Sequence, residues 1–214
     1  MTQNNLTVRD RLSSIIKASL PMTLKKYGFR KQGTTYVYKA EKLIYLIKVY
    51  KSRYNTDKEL DFRLEWGIDI NEDCKKPDVP FKAEALYGTH GNLTKGKRGL
   101  WFTLKSTDTS ETDEAIQQEI KDIIEKDIIP FVFSFKTLED IIHILESTPF
   151  KEARWSVPDP GPQTADWLAA LYYFIDKPEK SCEILDKAIE EAKFESFKQN
   201  LITLKQQIMQ SMKS

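Results

Sequence analysis

Cysteine, histidine and glycine are scarce in this chain, and each scarcity narrows what it can be. The two cysteines, Cys74 and Cys182, stand far apart with no metal-type partner nearby. That spacing argues against a disulfide scaffold or a zinc site and leaves two unpaired thiols. Only His90 and His143 supply imidazole, so no histidine-rich metal centre is expected, nor any other metal or cofactor. The glycines form no phosphate loop: Gly91, Gly96 and Gly99, with Lys95, Lys97 and Arg98, lack the spacing that aligns backbone donors at a helix start. Long apolar runs are missing too. Met1 to Asn5 lack the basic start and continuous apolar stretch of a secretory signal, and lysine or proline interrupts each apolar cluster well short of a membrane span. We expect a soluble, cytoplasmic protein without membrane contact.

What is present is a core and a polarised charge. Of 214 residues 40% are hydrophobic, enough to build one ordinary domain, or a domain with a helical appendage. The net charge of +1 hides an asymmetry: residues 1–58 hold 13 Lys/Arg against 3 Asp/Glu, and residues 59–214 hold 20 against 29. Within the second part, residues 106–191 carry 8 basic and 20 acidic side chains. Two readings follow. The basic N-terminal part either presents a surface to nucleic acid or an acidic partner, or faces the acidic helices of its own molecule.

Helical spacing of Val8, Leu12, Ile15, Ile16 and Leu20 predicts an amphipathic helix over about 7–27, kinked or broken near Pro21 and stopped by Gly28. A period of two then predicts strands at Thr34–Tyr38 and Leu43–Tyr50, joined at Ala40-Glu41-Lys42. The strand from Leu60 to Ile70 alternates strictly, with Leu60, Phe62, Leu64, Trp66, Ile68 and Ile70 on one face. Residues 71–97 read as irregular, and Gly99–Lys105 as a fourth strand. Ser110 with Asp113 and Thr137 with Asp140 signal the starts of two further helices, the first closed by Pro130. Residues 151–163 hold Pro158, Pro160, Gly161 and Pro162 and read as a linker. Beyond it, Trp167–Tyr173 and Ile184–Ile189 form a hairpin that resembles one tetratricopeptide repeat, with Asp176 where that family has glycine. A single repeat cannot bury its own face, so it and a final helix, Phe194–Met212, are expected to pack on the first domain.

Gly28-Phe29, then Tyr36-Val37-Tyr38, Ile47 through Lys51-Ser52-Arg53-Tyr54-Asn55, and Leu64-Glu65-Trp66-Gly67-Ile68, resemble the bacterial family called domain of unknown function 4304. The resemblance spans about residues 7–145 and is most specific from Gly28 to Ile70. Family members often carry glutamine where this chain has Tyr50. It implies a compact bacterial α+β domain and no established activity.

Three sets of residues are candidates for function. Lys48, Lys51, Arg53, Tyr54 and Asn55 combine cations, a ring and an amide at a strand end and loop, a mixture suited to phosphate, base or acidic-protein contacts. Their alternative role is a solvated hairpin that protects a sheet edge. Glu65 and Asp69 share a strand face with Asp61 and Arg63, as paired carboxylates of a hydrolase do, but i and i+4 on a strand lie ~13 Å apart. Pairing with Lys39, Lys48 or Lys105 is the plainer role. His90, in a glycine-rich turn, has the chemistry of a near-neutral acid-base group.

The expectation is therefore an α+β protein. An N-terminal helix packs on a mostly antiparallel four-stranded sheet in residues 1–150, and a helical hairpin with a final helix fills residues 164–214. Its function is expected to be non-enzymatic binding, with a protein as partner. The alternatives are nucleic-acid binding by the basic part and a hydrolase built on Glu65, Asp69 and His90.

Overall fold

The computed structural model describes residues 6–76, 86–93, 101–147 and 162–212. Helix α1 (Val8–Lys25) starts at a reciprocal cap in which the Thr7 hydroxyl accepts the Asp10 N–H and the Asp10 carboxylate accepts the Thr7 N–H. Two donors that a helix start leaves over are thereby paired. Pro21 lies inside α1 and does not divide it. The carbonyl it deprives of a partner belongs to Lys17, which is exposed and open to water. Gly28 ends the helix as expected, at φ +84°, with the Phe29 N–H returning to the Leu24 carbonyl.

Six strands follow: β1 (Arg30–Gln32), β2 (Thr35–Lys39), β3 (Leu43–Lys51), β4 (Glu59–Ile70), β5 (Leu86–Thr89) and β6 (Phe102–Lys105). They form an antiparallel sheet in the order β1-β2-β3-β4-β5, with β6 also paired to β4. The α+β architecture holds, with two strands more than the four expected. Both are short. β1 is wholly exposed and shows no alternation, and β5 is four residues in a stretch whose glycines and prolines read as irregular. In both cases pairing with a longer neighbour, rather than local pattern, makes the strand.

Helix α2 (His90–Leu93) follows β5, and α3 (Ser110–Ile123) follows β6. Thr109, one residue before Ser110, occupies the cap position of α3. Helix α3 runs through a π-helical turn, Ile124–Ile128, into α4 (Ile129–Val132), so Pro130 sits in the opening turn of α4 instead of closing α3. The N–H that Pro130 lacks falls just after the π-helical turn, where the regular i to i−4 ladder is already interrupted. Then come α5 (Leu138–Ser147), α6 (Pro162–Phe174), α7 (Pro178–Glu191) and α8 (Glu195–Ser211). The Asp140 carboxylate accepts the Lys136 and Thr137 N–H groups at 2.8 and 2.9 Å before α5. These bonds hold its pKa below the ordinary carboxylate range.

The chain divides into two compact units, one of Met1–Lys39, Tyr45–Gly67 and Gly88–Ser134, the other of Ala40–Ile44, Ile68–Tyr87 and Phe135–Ser214. In the first, α1 packs on α3, and Leu12, Ile15, Leu20, Leu24, Ile47, Phe62, Leu64, Ile120 and Ile124 are fully buried. Arg11 is buried beside them. Its guanidinium donates to both oxygens of Asp113, at 2.9 and 2.6 Å, and to the Lys105 carbonyl at 2.6 Å. The Asp113 bonds raise its pKa. Lys26 reaches Glu125 at 3.0 Å. Two basic side chains of the N-terminal part are thus answered by the acidic helical segment of the same unit.

In the second unit α7 packs on both α6 and α8. Ser181, fully buried, donates to the Ala169 carbonyl at 2.7 Å, a close approach that a small side chain permits. Asp176 turns the chain between α6 and α7 at φ +59°, the left-handed conformation that glycine usually supplies and aspartate tolerates. Lys76 Nζ holds its carboxylate at 2.6 Å and lies 4.4 Å from the Tyr173 ring centre. Tyr172 donates to Glu146 at 2.6 Å, and burial together with that carboxylate pushes the phenol up to about 12. The expected linker, 151–163, lies outside the described residues except for Pro162 and Gln163, which open α6. Cys74 and Cys182 are free thiols. Among the described residues no helix is long and apolar enough to cross a membrane.

Candidate binding face

The site grows from the register of β4. The Ser52 N–H bonds the Asp61 carbonyl and the Asn71 N–H bonds the Lys42 carbonyl, each at 2.9 Å. In an antiparallel pair both bonds require the same register, which sets Lys48 opposite Glu65 and Tyr50 opposite Arg63. On the other side of β4, Asp61 pairs with Thr103 and Phe62 with Phe102, so the next step brings Trp101 opposite Arg63. Tyr50, Arg63 and Trp101 therefore form a row across neighbouring chain segments on the outward face.

The contacts agree with that register. The Arg63 guanidinium lies 4.7 Å from the ring centres of both Tyr50 and Trp101, and the two rings are 5.8 Å apart at 53°. Arg63 donates twice to Glu65 Oε1, at 2.9 and 2.6 Å, while Lys48 Nζ stands 3.3 Å from Glu65 Oε2. Both carboxylate oxygens are thus held by cations, and the Arg63 plane is oriented from its edge. Tyr50 remains 42% and Trp101 36% exposed. The Thr103 hydroxyl donates to Asp61 at 2.6 Å, so the second outward carboxylate of this face is also satisfied in place.

The loop after β3 is braced internally. Asn55 donates to the Asp61 carbonyl at 3.0 Å and accepts the Asp61 N–H at 2.7 Å, imitating a strand partner where the ladder has ended. The Thr56 hydroxyl accepts the Lys58 and Glu59 N–H groups, and Ser52 Oγ accepts the Tyr54 N–H. This bracing presents Arg53 and Tyr54: the guanidinium donates to the phenol oxygen at 2.6 Å and lies 4.8 Å from the ring centre, with Tyr54 75% exposed. Among the described residues neither Lys51 nor Arg53 has an acidic partner within ion-pair distance.

Of the five candidates, Lys51, Arg53 and Tyr54 stand open, Lys48 is paired with Glu65, and Asn55 shapes the loop. Sequence reasoning passed over Tyr50, Arg63 and Trp101. The alternation of β4 already turned Arg63 outward, but only the register of two other segments puts a ring on each side of it.

The residues of the hydrolase reading are each engaged separately. His90 does not lie in an open turn: it begins α2, is 1% exposed, lies within hydrogen-bond distance of the Leu64 N–H and carbonyl through Nδ1, at 3.3 and 3.4 Å, and stacks on Phe102 at 5.0 Å. Its ring completes the core beside β4. Glu65 is bound by Arg63 and Lys48. Asp69, in the second unit, accepts the Ile70 N–H at 2.7 Å and pairs with Lys75 at 3.4 Å. Among the described residues no group of three or more His, Cys, Asp or Glu side chains is placed to hold a metal. Most of the glycine- and lysine-containing segment from Gly91 to Gly99 lies outside the described residues.

Comparison with curated proteins and with solved structures found no match. The family model described as Domain of unknown function (DUF4304) matches residues 20–134, a span that includes all six strands and every residue of the candidate face. With more than half of its length matched, the chain belongs to the Domain of unknown function (DUF4304) family.

Proposed function

We propose that this protein is a non-enzymatic binding module that receives a macromolecular partner on the outward face of β3, β4 and Trp101, together with the loop after β3. The observation that carries this reading is the grouping of three exposed rings, Tyr50, Tyr54 and Trp101, with Lys51 and Arg53, two cations without an acidic partner among the described residues. Aromatic and arginine side chains dominate binding energy where they are held in place before the partner arrives. Arg63 and the braced loop do that holding. The module acts in the cytoplasm of a bacterium in an accessory, regulatory or toxin-neutralising role.

The test is affinity capture from cell lysate with the wild-type chain and an Arg53→Ala/Tyr54→Ala variant of matched thermal stability. A partner retained by the wild type and lost by the variant is the expected outcome. Identical captures by both would overturn the reading.

A further inference from the structure

Resting on the binding reading above, we infer that the partner of this face is a single-stranded nucleic acid, its bases stacked on Tyr50, Trp101 and Tyr54 and its phosphates met by Lys51 and Arg53. An acidic protein segment answers the cations by its charge, but its charge does not by itself engage the three exposed rings. A single strand uses both, because each nucleotide joins a flat ring to a phosphate, and stacking tolerates any base. The rings are close enough for this: Tyr50 and Trp101 lie 5.8 Å apart, within reach of neighbouring bases.

The charges of the face point the same way. The carboxylate nearest the rings, Glu65, is neutralised in place by Arg63 and Lys48, and Asp61 accepts the Thr103 hydroxyl. Glu65 is thus charge-compensated and Asp61 hydrogen-bonded, while Lys51 and Arg53, without an acidic partner among the described residues, remain available to phosphate. Arg63 lies 4.7 Å from both ring centres and is tied to Glu65 through its edge, so it holds the two rings in place for the bases. A duplex does not fit this arrangement, since its base faces are covered by their neighbours and only its phosphates would reach the sheet.

The probes are a fluorescein-labelled single-stranded oligothymidylate, a duplex of the same length and labelled polyglutamate, each titrated against the full chain by fluorescence anisotropy at two salt concentrations. We expect the single strand to bind at least about tenfold more tightly than the duplex, and log K to fall with log salt at a slope of about −1.4 for two phosphate contacts. Trp101→Leu weakens single-strand binding about fivefold or more, as loss of one stacked base does. Trp101→Phe, which keeps a ring, retains most of it, and neither variant changes the melting temperature by more than a few degrees.

Equal affinity for single strand and duplex, or a Trp101→Leu variant indistinguishable from wild type, would overturn the nucleic-acid inference. Polyglutamate binding that Arg53→Ala/Tyr54→Ala abolishes, with no oligonucleotide binding, would also overturn it and leave the binding reading standing with an acidic protein as partner. No binding of any probe, combined with unchanged captures by that double variant, would overturn both.

Discussion

On one face of β4, Leu60, Phe62, Leu64 and Trp66 are at most 2% exposed; one residue along, on the other face, Asp61, Arg63 and Glu65 are half-buried, Arg63 and Glu65 in ion pairs and Asp61 hydrogen-bonded to the Thr103 hydroxyl. The inner face is built by transfer of apolar surface from water, which asks little of a particular neighbour. The outer face is built by pairing, which asks for a particular neighbour at each position. The inner face therefore carries the stability of the first unit and the outer face the proposed recognition, and substitutions should separate the two.

The largest effect is expected on the inner face. Phe62→Ala empties a fully buried site stacked on Phe102 at 5.1 Å and should lower unfolding stability by about 3–5 kcal/mol in urea titration. Gly88→Ala tests the same face from outside the strand. A Cβ there would stand 2.5 Å from the Trp66 ring, whose Nε1 donates to the Thr89 carbonyl at 3.1 Å, so overpacking should cost about 1–3 kcal/mol. A melting temperature equal to wild type in either variant would break the comparison at its strong end.

Asp166 in α6 shows what happens when burial is not answered by pairing. Glu65 has two cations, whereas burial pushes the Asp166 carboxyl up from 3.8 to about 6, offset only in part by the backbone N–H of Trp167. The folded state thus holds the proton more tightly than the unfolded chain. The resulting destabilisation is absent below pH 4, develops between pH 4 and 6, and is complete above. Asp166→Asn should accordingly raise stability by about 1–2 kcal/mol at pH 7.5 and by nothing at pH 4. A gain of equal size at both pH values would show that removal of charge is not its source.

The smallest change in stability is expected on the outer face. Arg63→Ala removes a half-exposed pair and should alter unfolding by less than about 1 kcal/mol, while releasing Tyr50 and Trp101 from their common anchor. Capture of the partner should fall in this variant although the fold does not. Loss of stability comparable to Phe62→Ala would mean that the two faces are not separable.

Much of this comparison was legible in the chain itself. The strict alternation from Leu60 to Ile70 assigned both faces of β4, Gly28 marked the end of α1, and Thr137 with Asp140 marked the start of α5, because each rests on interactions within a few residues. The Lys48–Glu65 pair was also within reach, since a cation on one strand and an acid on the next have few other uses. β5 and His90 were misread for a shared reason: their environment comes from segments distant in sequence, and a histidine among glycines looks open until Leu64 and Phe102 are brought against it.

By itself the sequence determined the local elements, the inner face of the sheet and the separation of charge along the chain, since those depend on the period of apolar residues and on capping groups close in sequence. Only the tertiary structure decided that Tyr50, Arg63 and Trp101 stand in one row, that Asn55 braces the loop instead of facing a partner, and that Arg11 is answered by Asp113. Each of these depends on strand register or helix packing between residues far apart in the chain, and register is set by the sum of many pairings rather than by any residue that can be read alone.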